Sequence, residues 1–308
     1  LIETIQSVAG DFESDGAAFA IAGPINNGVC TLTNWPGDPE VRTIRITDLP
    51  EKICPHDRTI FLNDLEAGAY GVVAAEENKT INDLFEQLWA RSAPKGPIVS
   101  TTRSAVLAMG SGFGGALIVK SSAIDAPLVL PTEIGHAQIP VVGKNDPKSE
   151  EEYAIVQHVS NHYYQGKGTP EYEDIASGRG LCLVYQYFYE KNEKKKLPLE
   201  NINGGDIAQL AKSGDKTAKQ ALTWHYLMFI RAAKEIAVSL CCDSIILALD
   251  NQVKNSWIVH AIADQLNDEF YNYIRPDWMK GIRVYAQTKV LNFNLLGTTY
   301  MALRLSKE

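Results

Sequence analysis

No apolar run in this sequence reaches the roughly 18 residues that a bilayer-spanning helix needs, so nothing in it reads as a membrane span. Paired cysteines are missing too. Cys30, Cys54, Cys182, Cys241 and Cys242 contain no C-x-x-C, which argues against a disulfide framework and predicts reduced thiols in an intracellular protein. Positive charge is in deficit: the formal net charge is −8, so nothing offsets phosphate repulsion on a whole-protein scale, which argues against a nucleic-acid partner. The only dense basic stretch, Lys191-Asn192-Glu193-Lys194-Lys195-Lys196, has no interleaved aromatic residue and reads as a solvated helix end or loop. The opening Leu1-Ile2-Glu3-Thr4 is neither a signal peptide nor an initiator, which leaves open a start inside a longer protein. Without a secretory signal, the glycosylation triplet Asn78-Lys79-Thr80 reads as chance. What remains is 308 residues with 45% hydrophobic and 21% charged content, enough for one large or two ordinary soluble domains.

Strand-like and helix-like patterns alternate along much of the chain, which predicts an α/β architecture. Ala17 to Ala22, Val29 to Thr33, Val41 to Ile46 and Thr59 to Leu62 read as strands. Leu65 to Ala75 reads as a helix, and Ile81 to Trp89 has helical spacing up to the breaker Ala93-Pro94-Lys95-Gly96-Pro97. Ala105 to Met109 and Ala116 to Lys120 form a strand, tight turn, strand unit around Gly110-Ser111-Gly112-Phe113-Gly114-Gly115. Helices are predicted over Ser149 to Tyr164, Gly180 to Lys191, Lys216 to Cys242, Trp257 to Tyr273 and Leu295 to Leu305, with strands at Ser244 to Leu249 and Ile282 to Ala286.

Four polar signals stand out. Asn63-Asp64 closes the strand Thr59 to Leu62, where α/β proteins place ligand-handling groups, and Asp64 so placed can deprotonate a hydroxyl or simply cap the following helix. Gly110, Gly112 and Gly115 spell G-x-G-x-x-G, but the dinucleotide fingerprint needs a helix next and this sequence continues as a strand. Such a hairpin can still present backbone N–H groups to phosphate, with the Ser111 hydroxyl as a further donor, or be a plain tight turn. Glu133 and His136 around Gly135 can grip vicinal hydroxyls, although His136 also fits a structural role, and Glu173 fits a surface helix as well as a site. His158 and His162 share a helix face, yet no further metal-ligand motif accompanies them.

Taken in order, Ala20 to Ile25, Thr33-Asn34-Trp35, Phe61 to Asp64, Gly110 to Gly114, Glu133 to His136, Glu173 through Gly180 and Leu295-Leu296-Gly297 resemble the bacterial-type glucokinase family, including its trypanosomatid and other protist members. The resemblance spans nearly the whole chain. It implies the two-domain actin-like, hexokinase-type α/β fold, with a small domain over 1–75, a large one over 76–290 and a last helix, 291–308, that can return to the first. It implies ATP-dependent phosphorylation of the glucose 6-hydroxyl, with glucose in the cleft between domains. Asp64 would be the base, and Asn34, Asn63, Glu133, His136 and Glu173 would bind the sugar's other hydroxyls. Gly110, Ser111, Gly112 and Gly114 would meet the phosphates of ATP with Mg2+. The family's first phosphate motif, an N-terminal hairpin, is absent and is expected upstream of Leu1. The adenosine-side turn, usually glycine-rich, reads Leu249-Asp250-Asn251-Gln252. No structural zinc is expected. A non-catalytic sugar-binding relative is the alternative, and a nicotinamide oxidoreductase rests on the glycine pattern alone. Oligomeric state is open, with a homodimer as one option. The ending Ser306-Lys307-Glu308 is not the Ser-Lys-Leu address, so the expected compartment is cytoplasmic.

Overall fold

A computed structural model of the chain describes residues 2–32, 36–140, 143 and 146–307. It separates into two compact units. The first takes 1–84, 116–131 and 291–308, and the second takes 85–115 and 132–290.

In the first unit the strands Ala17–Ile21 and Thr59–Asn63 pair in parallel, with Ile21 opposite Asn63, so both end at the same edge. Ile25–Asn26, Val29–Thr31 and Thr43–Arg45 make a small antiparallel sheet. Ile21, Cys30, Leu49, Cys54 and Phe61 form the core under them. Phe19 meets Phe61 edge-on, with ring centroids 5.9 Å apart.

The helix Asp64–Glu77 follows the parallel strand without a linker, and ten of its residues are buried. It packs against the helix Phe293–Leu305 at glycines on both sides. A Cβ on Gly71 would lie 2.1 Å from the carbonyl oxygen of Phe293, and one on Gly297 would lie 1.8 Å from that of Ala67. These helices therefore touch backbone to backbone, and the contact fixes where the first turn carrying Asp64 sits.

The second unit is built on parallel strands Arg103–Met109, Ser244–Leu247 and Arg283–Gln287, flanked by an antiparallel edge strand, Phe85–Leu88. This last strand corrects the helix expected over Ile81 to Trp89. A single 3-10 turn, Ile81–Asp83, is followed by extended residues paired with Arg283–Gln287. Phe85 and Leu88 are buried three apart, so the local pattern imitated a helix face while sheet pairing decided the outcome. The helix expected over Trp257 to Tyr273 is two, Ser256–Ala261 and Ala263–Tyr271, parted at Ile262.

Behind the sheet lies the helix Lys216–Ser239, with fifteen buried residues. Its Arg231 is buried and paired, with Nη2 2.9 Å from Glu152 Oε2 and Nε 2.9 Å from Glu269 Oε1. Its His225 is also buried and bonds the carbonyl of Ile175 at 2.8 Å through Nδ1. Burial pushes this imidazole down to about 4.

Two expectations follow. Gly297→Ala should lower the free energy of unfolding by about 3 kcal/mol or more, measured in urea, because neither backbone can yield without separating the helices. His225 enters the fold neutral, so an unfolded chain binds a proton that the native one refuses. Stability should fall as pH drops from about 6.5 toward 4, by about 1.4 kcal/mol per unit. The acid dependence should flatten in His225→Gln, as read by melting temperature against pH.

Candidate active site

The described site residues fall into two groups, one per unit. Asn34, on the segment Thr33-Asn34-Trp35, lies outside the described residues.

In the first unit Asn63 caps the helix and Asp64 opens it. The Asn63 side chain accepts from Leu65 N at 3.0 Å, and Glu66 Oε2 accepts from Asn63 N at 3.1 Å. This reciprocal box satisfies the helix start without a second carboxylate. Asp64 therefore has little structural work. Its Oδ1 accepts from Leu65 N at 2.9 Å, and its carboxylate has no side-chain partner among the described residues. Asp64 is half-buried, and burial raises its pKa above the ordinary value, partly offset by backbone N–H donors. The Nδ2 group of Asn63 has no hydrogen-bond partner among the described residues, so it can face a ligand while Oδ1 holds the cap.

In the second unit the glycine cluster is a hairpin, with strand on both sides, as the absence of a following helical pattern implied. Gly110 N donates to Gly112 O at 2.7 Å, closing the turn. Phe113 turns its ring into the core against Phe229, with centroids 5.2 Å apart, and its N–H outward to Glu173 Oε2 at 2.8 Å. A Cβ on Gly112 would come within 2.7 Å of that same oxygen, which explains the glycine there. The other Glu173 oxygen takes Arg179 Nη2 at 2.8 Å. Arg179 lies over the Tyr163 ring at 5.6 Å. Gly178 N donates to Gly110 O at 2.8 Å.

The 3-10 turn Ile134–His136 packs onto the start of the same strand. Gly135 is buried there, and a Cβ would lie 2.1 Å from Phe113 O. His136 is half-exposed, and its Nδ1 lies 2.7 Å from Glu171 Oε2. Glu133 is more open, with Oε2 3.9 Å from His136 Nε2. The bond to Glu171 raises the His136 pKa, burial opposes it, and the charges of Glu171, Glu173 and Glu133 add to the rise.

Gly110, Ser111, Gly112, Glu133, His136 and Glu173 thus gather around one strand start, with Gly114 one residue further along it. Sequence reasoning missed Glu171 and Arg179. Both flank residues that it did single out, so the signal was their position on the same turn and helix start. His158 instead bonds Gln186 Oε1 at 3.0 Å, and burial lowers its pKa. No group of three or more metal-ligating side chains occurs among the described residues.

The Leu249 turn departs from easy backbone geometry. Leu249 has φ 72° and ψ 168°, a region that costs a side-chain-bearing residue of order 1–3 kcal/mol. Its N–H is held by Gln287 Oε1 at 2.7 Å, and Asn251 Nδ2 donates to Met109 O at 3.0 Å.

Against known proteins, the family model described as Glucokinase matches residues 2–247. A curated relative, probable glucokinase 2 of Trichomonas vaginalis, is 53% identical over all of this chain and 82% of its own length. The crystal structure of glucokinase from Balamuthia mandrillaris in complex with glucose superposes with a TM-score of 0.87 at 30% identity, covering 98% of this chain and 83% of that one. Leishmania braziliensis glucokinase gives a TM-score of 0.78 at 26% identity, with 94% and 75% covered. The fold is therefore the two-domain α/β fold of these kinases, and the chain belongs to the glucokinase family.

Proposed function

We propose that this chain transfers the γ-phosphoryl group of ATP to the 6-hydroxyl of glucose and that Asp64 is the general base. Membership of the glucokinase family supports the reaction. The observation that supports the base is the state of Asp64. It is a half-buried carboxylate at a strand end, relieved of capping by Asn63 and Glu66, with a raised proton affinity caused first by burial. Deprotonating an alcohol as its oxygen attacks phosphorus needs a positioned carboxylate whose pKa has not been depressed by a cationic partner.

In this reading Asn34, Asn63, Glu133, His136 and Glu173 bind the remaining sugar hydroxyls. Carboxylates suit that task, because a hydroxyl donates to them and an analogue lacking it leaves a charge unpaired. The turn at Gly110, Ser111, Gly112 and Gly114 receives the phosphates. Gly110 N and Phe113 N are already bonded within the protein, so the Ser111 hydroxyl and the N–H groups of Ser111 and Gly112 are the donors left on the turn. Mg2+ would arrive on the triphosphate, which supplies oxygen ligands itself, so no cage of protein carboxylates is required. Bound there, it would neutralise charge on the transferring phosphoryl.

Asp64→Asn should lower kcat by at least about 10²-fold with glucose KM little changed and the circular dichroism spectrum intact. A variant turning over at near-normal rate would remove Asp64 from the role. In the parent enzyme the base must be ionised, so kcat/KM should fall as pH drops through the raised Asp64 pKa. Glu173 holds the glycine turn as well as facing the sugar, so Glu173→Ala should raise KM about 10-fold for both ATP and glucose. A change confined to glucose would show that the turn keeps its shape without this carboxylate.

A further inference from the structure

The carboxylate of Glu171 has no part in the reading above, yet it sits on the one imidazole of the site. We propose that Glu171 is a positioning residue that fixes His136, holding Nδ1 as the donor to its own carboxylate and leaving Nε2 as the atom that meets the sugar. The proposal rests on His136 as a sugar ligand.

Glu171 is itself held. It forms a capping box with Asp174 at the turn Tyr172–Asp174, with Glu171 N donating to Asp174 Oδ2 at 3.0 Å. Asp174 is buried and also accepts from Tyr164 OH at 2.6 Å. Glu171 pairs as a β-bridge with Gln138, and Tyr172 N donates to Ala137 O at 3.0 Å, so this segment is laced to the one just after His136. The carboxylate is a fixed post rather than a mobile surface group, and at 2.7 Å from Nδ1 it decides the ring's orientation. A second-layer carboxylate on a histidine sets both tautomer and basicity, as it does for histidines that bind metals.

The charged groups facing the ring are Glu133 on its own turn and Glu171 and Glu173 on the turn beside it. The Lys216–Ser239 helix packs against both turns but directs its buried His225 to Ile175 O instead. All three are negative, Glu173 partly offset by its pair with Arg179, and together they favour the imidazolium. That attraction is complete below the ordinary histidine pKa and is lost as pH rises through the higher folded value. In the imidazolium Nε2 donates to a sugar oxygen, and as the ring deprotonates Nε2 becomes an acceptor.

The test is the pH dependence of glucose KM and kcat in the full chain, with NMR titration of the His136 ring, for parent, Glu171→Gln, Glu171→Asp and His136→Gln. In Glu171→Gln, KM should rise about 10-fold and kcat stay within about 3-fold, the scale of one charge-assisted hydrogen bond. The ring titration and the alkaline rise in KM should both move to lower pH. Glu171→Asp, which keeps the charge but withdraws it, should move both less. A ring titration unmoved in Glu171→Gln, with KM raised in His136→Gln, overturns the role of Glu171 alone. An unchanged KM in His136→Gln removes the sugar-ligand reading and this proposal with it.

Discussion

The carboxylate of Glu173 is the interaction on which the second unit's site depends. One oxygen receives the N–H of Phe113 and the other the guanidinium of Arg179. Three separate stretches of chain, the glycine hairpin, the Tyr172–Asp174 turn and the helix from Gly178, are thereby tied at one point. The tie is set at close range, because Gly112 leaves no room for a side chain between the hairpin and the carboxylate. It is also backed by the core. Phe113 is buried against Phe229 of the long helix, and His225 of that helix holds Ile175 O just past the turn. Hydrophobic packing fixes the strand, the hydrogen bonds fix the turns upon it, and the polar groups then have one arrangement.

The first unit reaches the same end by dividing labour. A helix start needs acceptors for its free N–H groups, and a lone aspartate there would usually be consumed by that need. Asn63 and Glu66 meet the need together, and the glycine-mediated contact between the helices Asp64–Glu77 and Phe293–Leu305 holds the helix. Asp64 is left as a half-buried carboxylate without a cationic partner among the described residues, the condition in which burial can raise its proton affinity.

Much of this was legible in the sequence. A short apolar strand ending in Asn63-Asp64, and a glycine run followed by a strand rather than a helix, each follow from local chemistry and hold in three dimensions. The failures share a cause. Phe85–Leu88 has helical spacing but pairs with Arg283–Gln287, nearly two hundred residues away, so no local window reports it. Glu171 and Arg179 gain meaning only when their turn and helix start fold back on His136 and Glu173, pairings of 35 and 6 residues' separation that composition cannot weigh. Leu249 reads as an ordinary apolar residue, and its unusual backbone sits in a turn whose N–H is held by Gln287, 38 residues further on.

Charge supplies the last step. Glu133, Glu171 and Glu173 gather near the glycine turn of an already acidic protein. Such a cluster would repel a triphosphate, yet it suits an uncharged polyol that offers hydroxyl donors. The two requirements are reconciled by giving each carboxylate a different employment. Glu173 is paired with Arg179 and a backbone N–H, Glu171 lies against the His136 imidazole, and Glu133 remains largely exposed for solvent to screen. The glycine turn Gly110 to Gly115 carries no lysine of its own. Its free donors are backbone N–H groups and a serine hydroxyl, which carry partial charge without a long side chain to order, and Glu173 holds the turn beside them through Phe113 N.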